Sequence, residues 1–532
     1  MKKGTLLFIT SIILVSLFYN FHVILFETNG SVHQWRQADC LSITQNYYKE
    51  NLPFLKPKHH HKSDEPEAKR GVVSEFPIIY YTVAKLWKIF GKSEAIFRGL
   101  NLLIVFLGLF YLYKLAYQHF KNKYLALLFP LFLFTSPVLV YYSNNFISNA
   151  SAFGLVLIGW YFFYQFYIHS KEKKLLISLF FFLLAGLLKA SALFSFFAIG
   201  GIFLLELLPN YYFKKENKIF KKHQILYFIS VLILIFSWYY YATNYSKSQG
   251  NDWVFLKGIL PIWELSEERI LDTFSKIYSI QLNRIFNPFI HITTILLFIF
   301  NVFKFKKINP FLITINIFLF IGVLLFCILF FQVFNIHDYY FINTLIFPVF
   351  TWFTFFSYHK NNTKLVSKKI FYIPLIIILL FSIFISGVIN RHKYNVDDVI
   401  AQAGLDYISE HDKGVMGWFQ FDSKKNQEAW KTITPYLREL GIKRETSVMV
   451  IDDQSINISL YNMDQIGYTK YCNKGNYEDK IAYSISEGTE YLLISEYNIN
   501  NPEYEQFKKY FEYSVGKYQN ILIFDLKPFS NK

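Results

Sequence analysis

Residues 311–334 read FLITINIFLFIGVLLFCILFFQVF, a run without a single charged side chain. A helix needs about 20 apolar residues to cross the hydrocarbon core of a bilayer, so this run is long enough to span a membrane. Comparable runs occur at residues 5–26, 96–116, 124–142, 152–168, 175–188, 192–208, 225–242, 289–303, 340–358 and 370–389. The pattern predicts a polytopic α-helical membrane protein with about eleven transmembrane helices. The runs at 175–188 and 192–208 also fit a re-entrant pair, because so few residues separate them.

The composition of the whole chain agrees with this prediction. Of its 532 residues, 53% are hydrophobic and 17% are charged, whereas soluble domains are about 25% charged. Such a composition excludes a soluble enzyme, a disordered chain and a disulfide scaffold. The three cysteines, Cys40, Cys327 and Cys472, have no metal-ligand spacing.

The formal net charge of +16 is unevenly distributed along the chain. Residues 1–390 carry 37 basic and 17 acidic side chains, whereas residues 391–532 carry 17 basic and 21 acidic ones. In the first part the lysines gather in short loops between apolar runs, which is the positive-inside pattern and not a nucleic-acid-binding face. We therefore expect no nucleic-acid partner, a cytoplasmic N-terminus and an extracytoplasmic C-terminal region.

These observations predict two domains. Residues 1–390 form a transmembrane domain with two long outer loops, at 27–95 and 243–288. Residues 391–532 form an extracytoplasmic α/β domain, with helices at 396–410, 427–440 and 478–486, strands at 447–451 and 491–494, and a final hairpin at 511–526. Asp452-Asp453 follows a strand and is either a turn or a sugar- or metal-binding pair.

Most acidic residues of the membrane part lie in the outer loops, so chemistry that needs a carboxylate is expected at the outer face. The first loop opens with HQWRQAD, residues 33–39, which predicts a helix on the membrane surface anchored by apolar and aromatic residues. Asp39 is well placed there to act on a lipid-linked headgroup. The second block is SEFP, residues 74–77, in which Glu75 near a helix start either contributes to catalysis or complements the helix dipole.

Taken in order, these short motifs resemble those of bacterial GT-C glycosyltransferases, membrane enzymes similar to protein mannosyltransferases and lipid A aminoarabinose transferases. The sharpest motifs are HQWRQAD, SEFP, Phe90-Gly91 and Arg98. Softer matches are Lys189-Ala190-Ser191 and His337-Asp338-Tyr339-Tyr340.

The resemblance implies a polyprenyl-phosphate-linked sugar donor and an envelope acceptor, which is a lipid, glycan or protein. Its implied activity is transfer of a hexosyl or pentosyl group at the outer face of the bacterial cytoplasmic membrane. Asp39 takes the catalytic acidic position and Glu75 the second one. Many relatives carry adjacent acids in this loop, whereas Cys40 follows Asp39 here, so the division of labour with Glu75 stays open.

The leaving polyprenyl phosphate needs cations to hold it. Arg98 and Lys189 are predicted near the outer membrane boundary, where such a phosphate would lie, although snorkelling at span ends explains them equally well. The remaining substrate-binding candidates are Trp35, Arg36, Arg284, His337, Tyr339 and Tyr340. Tyr339 and Tyr340 also fit an interfacial aromatic belt.

No cofactor follows from these residues. A divalent metal ion shared by Asp39 and Glu75 is an option that nothing in the sequence requires. The tract His59-His60-His61 also suggests a metal, but consecutive histidines point in different directions, and we expect a mobile, solvated segment instead.

Two other functions remain open at this stage. A transporter or flippase for lipid-linked saccharides would place ionisable residues within the spans. An O-antigen ligase or polymerase would place its site in the loop at 243–288 and depend on Arg284. Neither the sugar nor the acceptor can be derived from the residues.

Overall fold

The fold is described from a computed structural model, which describes residues 2–65, 67, 69–208, 218–251, 258–360, 369–472, 474–499 and 502–530. Contacts divide the chain into two compact units. Unit 1 comprises Met1–Glu27, Phe97–Trp238 and Gly258–His411, and unit 2 comprises Thr28–Ile96, Tyr239–Lys257 and Asp412–Lys532. Parts of the predicted inner loops at 214–222 and 364–369 and of the outer loop at 243–288 lie outside the described residues.

Unit 1 is helical. Its helices, some of which continue into unit 2, are α1 (Lys2–Phe18), α2 (Phe21–Ile24), α5 (Glu94–Phe120), α6 (Lys123–Leu133), α7 (Pro137–Ser143), α8 (Asn149–His169), α9 (Glu172–Leu188), α10 (Phe194–Leu207), α11 (Ile225–Ser248), α12 (Glu267–Lys276), α13 (Leu282–Ile285), α14 (Pro288–Phe303), α15 (Pro310–Leu329), α16 (Ile346–His359), α17 (Lys369–Lys393), α18 (Val399–Ala403) and α19 (Glu410–Asp422). Asparagine caps precede a first-turn proline in α14 and α15, and each cap accepts a backbone N–H.

Seven helices among the described residues are long and apolar enough to cross a membrane, or up to nine if each of two bent pairs is one span. The first bent pair joins α6 to α7 at 79°, and the second joins Glu267–Ile285 to α14 at 93°. The prediction of a multi-pass helical protein is confirmed, whereas the number eleven is not. Breaks shorten the predicted spans: α1 ends at Phe18, and the predicted run 124–142 bends after Leu133.

Unit 2 combines the first predicted outer loop with the C-terminal part of the chain. The loop supplies α3 (Gln34–Glu50) and α4 (Ile78–Phe90). The C-terminal part supplies α20 (Glu428–Thr432), α21 (Thr434–Glu439), α22 (Ile458–Asn462), α23 (Tyr477–Ser486), and strands β1 (Ser447–Val450), β2 (Gly467–Thr469), β3 (Thr489–Ser495), β4 (Ser514–Tyr518) and β5 (Ile521–Asp525). The predicted α/β composition and the final hairpin are confirmed, while β2 escaped prediction.

The strands form one sheet in the order β2-β1-β3-β5-β4. Strand β1 pairs parallel to β2 and β3, whereas β5 pairs antiparallel to β3 and β4. Apolar side chains cover both faces, and Ala38 of α3 belongs to one of the two buried clusters. The helix that carries the predicted catalytic residue therefore packs into the core of the C-terminal sheet.

The loop and the C-terminal part are also joined by backbone pairing and ion pairs. His61 forms a parallel bridge with Gly467 at the edge of β2, where a Cβ on Gly467 would lie 1.9 Å from the carbonyl oxygen of Val448. Arg444 forms ion pairs of 2.8 Å with both Glu50 of α3 and Asp464. The boundary predicted between residues 390 and 391 stays a prediction, because compactness does not mark a membrane surface.

Two local predictions are wrong. Helix α3 exists, but Leu41, Ile43 and Tyr47 are buried in protein and do not face lipid. The histidine tract is not a solvated segment, because His59, His60 and His61 have no exposed side-chain surface. The polar histidine side chains predict a solvated segment. In the structure, the bridge to β2 and the contacts described below bury all three side chains.

Candidate functional site

Asp39 lies in the second turn of α3, and it is 4% exposed. Its helix is buried along most of its length, including polar residues such as Gln37 and Thr44. Burial of so many polar groups requires hydrogen-bond partners and is costly unless they are satisfied. Contacts with the surrounding protein therefore fix the position of α3, and with it the position of Asp39.

Arg36 connects the two predicted catalytic carboxylates. Its guanidinium forms an ion pair with Glu75, and its Nη1 lies 4.0 Å from Oδ2 of Asp39, one helical turn away. Glu75 also accepts hydrogen bonds from Ser74 and, at 2.6 Å, from the hydroxyl of Tyr80. We call Asp39, Arg36 and Glu75 the acidic cluster, in which two carboxylates face one cation.

Burial raises the pKa of Asp39 to about 6, and Arg36 and Asn457 limit the rise. A carboxyl group with this pKa is mostly ionised at neutral pH and takes up a proton more readily than an ordinary aspartate. Glu75 accepts from Arg36, Ser74 and Tyr80, whereas Asp39 accepts from Asn457, whose Nδ2 lies 2.8 Å from its Oδ1. Burial thus raises the pKa of Asp39, while Glu75 is the carboxylate that pairs closely with Arg36.

A metal bridging Asp39 and Glu75 does not fit this arrangement, because the guanidinium of Arg36 already supplies the positive charge there. Among the residues that the structure describes, no group of three or more His, Cys, Asp or Glu side chains is placed to hold a metal ion. Trp35 is exposed beside this cluster and meets Tyr471 edge to face at 6.2 Å.

Unit 1 contains a second cluster with the opposite balance of charge. Oδ2 of the buried Asp338 lies 3.5 Å from Nη1 of Arg284 and 3.2 Å from Nζ of Lys393. The hydroxyl of Tyr142 donates to Oδ1 of Asp338 at 2.5 Å. We call these four residues the cationic cluster. One carboxylate there faces two cations, and all three charged groups are less than 10% exposed.

Several predicted substrate-binding residues adjoin the cationic cluster. The ring of Tyr339 packs edge to face on Tyr142 at 5.7 Å and lies 5.3 Å from the ring of His337. Nζ of Lys189 lies 4.8 Å from the ring centre of Tyr340 and 5.7 Å from that of Tyr339. Lys189, Arg284, His337, Tyr339 and Tyr340, which are distant in sequence, are thus brought together.

Arg98 has a different environment. It is fully buried and donates to the carbonyl oxygens of Glu27 and Asn144 and to the hydroxyl of Tyr394. Its guanidinium also lies 4.2 Å from the ring centre of Phe146. A phosphate would have to compete with these acceptors, so the contacts give Arg98 a role in holding unit 1 together.

Two residues were missed by sequence reasoning. Lys393 is the last residue of α17 and follows the last predicted apolar run. The position of a lysine at the end of a span is a signal that could have identified it as a candidate functional residue. Asn457 precedes α22 and carries no recognisable motif. Only folding brings it to Asp39, 418 positions earlier in the chain.

The comparisons with known proteins agree with this fold. The family model for dolichyl-phosphate-mannose-protein mannosyltransferase matches residues 73–252. Among curated proteins, no sequence match was found.

Two solved structures resemble the whole chain. ArnT from Cupriavidus metallidurans in the apo state is 10% identical, with a TM-score of 0.54 over 99% of this chain and 98% of that one. The same protein bound to undecaprenyl phosphate is 10% identical, with a TM-score of 0.52 over 98% and 97%. This chain therefore shares its fold with ArnT, and its residues 73–252 match the model of the mannosyltransferase family.

Proposed function

We propose that the protein transfers a sugar from a polyprenyl-phosphate-linked donor to an envelope acceptor at the outer face of the bacterial cytoplasmic membrane. The observation that carries this proposal is the buried Asp39, whose pKa is raised to about 6 and whose neighbours are the groups of the acidic cluster. The family model and the undecaprenyl phosphate in the matched ArnT structure support the class of donor.

The reaction forms a bond between an acceptor hydroxyl oxygen and the anomeric carbon of the sugar, and it breaks the bond from that carbon to the phosphate oxygen. Asp39 takes the hydroxyl proton as the oxygen attacks, a contribution of about 10²–10⁴-fold to the rate. The bonding electrons leave with the phosphate oxygen. Arg36 stays paired with Glu75 and keeps Asp39 ionised before the attack.

The leaving phosphate gains negative charge and needs cations that are held in place in advance. In the proposal, Arg284 and Lys393 of the cationic cluster provide them, because both are buried cations that Asp338 holds in place. Lys189 and the tyrosines beside it line the same neighbourhood. Both the hexosyl and the pentosyl forms of the donor fit this proposal, as do lipid, glycan and protein acceptors.

The test uses purified protein in vesicles with a panel of radiolabelled sugars on undecaprenyl phosphate and host envelope material as acceptor. We expect wild-type protein to transfer label from one donor, and Asp39→Asn to transfer at least about 100-fold less. The matched control is Glu94→Gln, which removes another part-buried carboxylate of unit 2 that accepts from Tyr461 and not from Arg36.

The control variant should lose stability and keep turnover per folded molecule. If wild-type protein consumes no donor of the panel, the proposed function is wrong. If it moves the donor lipid across the vesicle membrane without releasing free undecaprenyl phosphate, a transporter is favoured instead. If transfer occurs and Asp39→Asn leaves it unchanged, Asp39 is not the base.

A further inference from the structure

The C-terminal part of the chain reaches the candidate base through one side chain. Asn457 lies just before α22 and is fully buried. Its Nδ2 donates to Oδ1 of Asp39 at 2.8 Å. This bond joins the first predicted outer loop, which carries the sharpest motifs, to the C-terminal part of the chain, for which the motifs predict no role in catalysis.

The histidine tract determines which way the amide of Asn457 points. The backbone N–H of His61 can only donate, and it lies 3.1 Å from Oδ1 of Asn457. The hydroxyl of Ser42, on α3, lies 3.4 Å from the same oxygen and 2.8 Å from Nδ1 of His60, so it can donate to either one. With the oxygen committed to the N–H of His61, the amide nitrogen must face Asp39.

The second hydrogen of that nitrogen is directed at His59, whose Nδ1 lies 3.3 Å away. Nδ1 must then be the acceptor, which requires a neutral imidazole with its proton on Nε2. Burial holds the pKa of His59 well below its ordinary value, in agreement with a neutral ring. The buried tract thus fixes the amide in the orientation that donates to Asp39.

We propose that Asn457 is a positioning residue for Asp39, and that the His59–His61 tract and the C-terminal domain act in catalysis by locking its amide toward the carboxylate. This inference rests on the proposed function, and it assigns the domain a task in the reaction in addition to any part in acceptor binding. A donor at this place stabilises the carboxylate form, so it sets the pH at which the base becomes available.

Besides Asn457, the groups that influence the charge of Asp39 are Arg36, Glu75 and Asp453. Asp39 in turn raises the pKa of Cys40 and Tyr471, and His59 adjoins it through Asn457. Asn457 donates a hydrogen bond to Asp39 and carries no charge, so its donor can be removed without changing the charge of the cluster. Replacing it with Ser withdraws the donor, and replacing it with Asp keeps the shape but turns a donor into a second carboxylate.

The experiment measures sugar transfer as a function of pH for wild type, Asn457→Ser and Asn457→Asp. Because a lost hydrogen bond to a charged group corresponds to about one pH unit, the acid limb should move up by about 1 unit for Asn457→Ser and further for Asn457→Asp. Transfer at neutral pH should fall about 2-fold for Asn457→Ser and further for Asn457→Asp, with a smaller change in the KM for the donor. Raising the pH should restore much of the loss.

The matched control is Gln427→Ala. Gln427 is another buried amide of the C-terminal part that bonds to α3, accepting from Nε2 of Gln34 at 2.5 Å, and it is not among the groups that bond to or influence the charge of Asp39. Its variant should leave the position of the acid limb unchanged. Acid limbs of both Asn457 variants that superpose on the wild-type limb would overturn the proposal.

A second readout does not depend on transfer. The melting temperature of wild type minus that of Asp39→Asn, followed against pH, reports the pKa of Asp39 by linkage. The same difference measured in the Asn457→Ser background should change at a higher pH. If the wild type transfers no sugar, the proposed function fails, while this shift still supports or overturns the positioning role.

Discussion

The acidic and cationic clusters are built from the same kinds of side chain with opposite stoichiometry. In the acidic cluster, Arg36 stands between two carboxylates, whereas in the cationic cluster Asp338 stands between Arg284 and Lys393. Both are buried, where an uncompensated charge is costly. In the proposed function the two clusters have different tasks: a carboxylate of the first accepts a proton, and the cations of the second meet a phosphate.

The largest expected effect is a loss of stability when the single anion of the cationic cluster is removed. In Asp338→Asn, Arg284 and Lys393 remain buried without their carboxylate, which should lower the free energy of unfolding by about 3–5 kcal/mol. Thermal unfolding in detergent measures this change. Asp272→Asn is the control, because its carboxylate is 49% exposed and pairs with Lys276, and it should change stability by less than about 0.5 kcal/mol.

A smaller effect is expected on substrate binding when one cation of the cationic cluster is removed. Lys393→Met keeps the volume and leaves Asp338 paired with Arg284. Loss of a charge-assisted hydrogen bond to phosphate should raise the KM for the lipid-linked donor about 10–100-fold. Lys276→Met, the control, removes a lysine from an exposed ion pair, and an unchanged KM in Lys393→Met would separate the cationic cluster from the donor phosphate.

The same Asp-to-Asn change in the acidic cluster should have the opposite sign. The pKa of Asp39 is raised from 3.8 to about 6, so the folded state holds the proton more tightly than the unfolded state does. Its stabilising contribution is present at low pH and is lost as pH rises through about 6. At neutral pH, Asp39→Asn should therefore raise the free energy of unfolding by about 1–3 kcal/mol while abolishing transfer.

The measurement is thermal unfolding of wild type and Asp39→Asn at pH 5 and pH 8. The gain in melting temperature should be larger at pH 8 than at pH 5, because pH 5 lies between the unfolded pKa of 3.8 and the folded pKa of about 6. If Asp39→Asn instead lowers the melting temperature at pH 8, as Asp338→Asn is expected to do, the predicted difference between the two clusters is wrong.

The smallest effect concerns the neutral donor of the cationic cluster. The hydroxyl of Tyr142 donates to Asp338. When this hydrogen bond is lost, Asp338 still forms its ion pairs with Arg284 and Lys393. Tyr142→Phe should cost about 1 kcal/mol of stability and change the donor KM less than Lys393→Met does. A larger KM effect for Tyr142→Phe would show that the tyrosine, and not the lysine, meets the donor.

Much of this organisation could be predicted before any coordinates. The apolar runs and the lysine-rich loops predict a multi-pass helical protein, because the bilayer sets the length of a span and the distribution of charge. The motifs around Asp39 and Glu75 single out two carboxylates that the fold indeed brings to one arginine. Burial of the histidine tract and the breaks within predicted spans were not predictable, since both depend on packing against distant segments.

The sequence by itself determined the fold class, the superfamily resemblance and the identity of the acidic residues, because these depend on local composition and short motifs. Only the tertiary structure decided how the charges are partnered. Asn457 reaches Asp39 across 418 positions, and Lys393 reaches Asp338 across 55, and neither separation leaves a periodic signal in the chain. The protonation state and the ion pairs of a buried group depend on neighbours within a few ångströms, and folding brings those neighbours from distant parts of the chain.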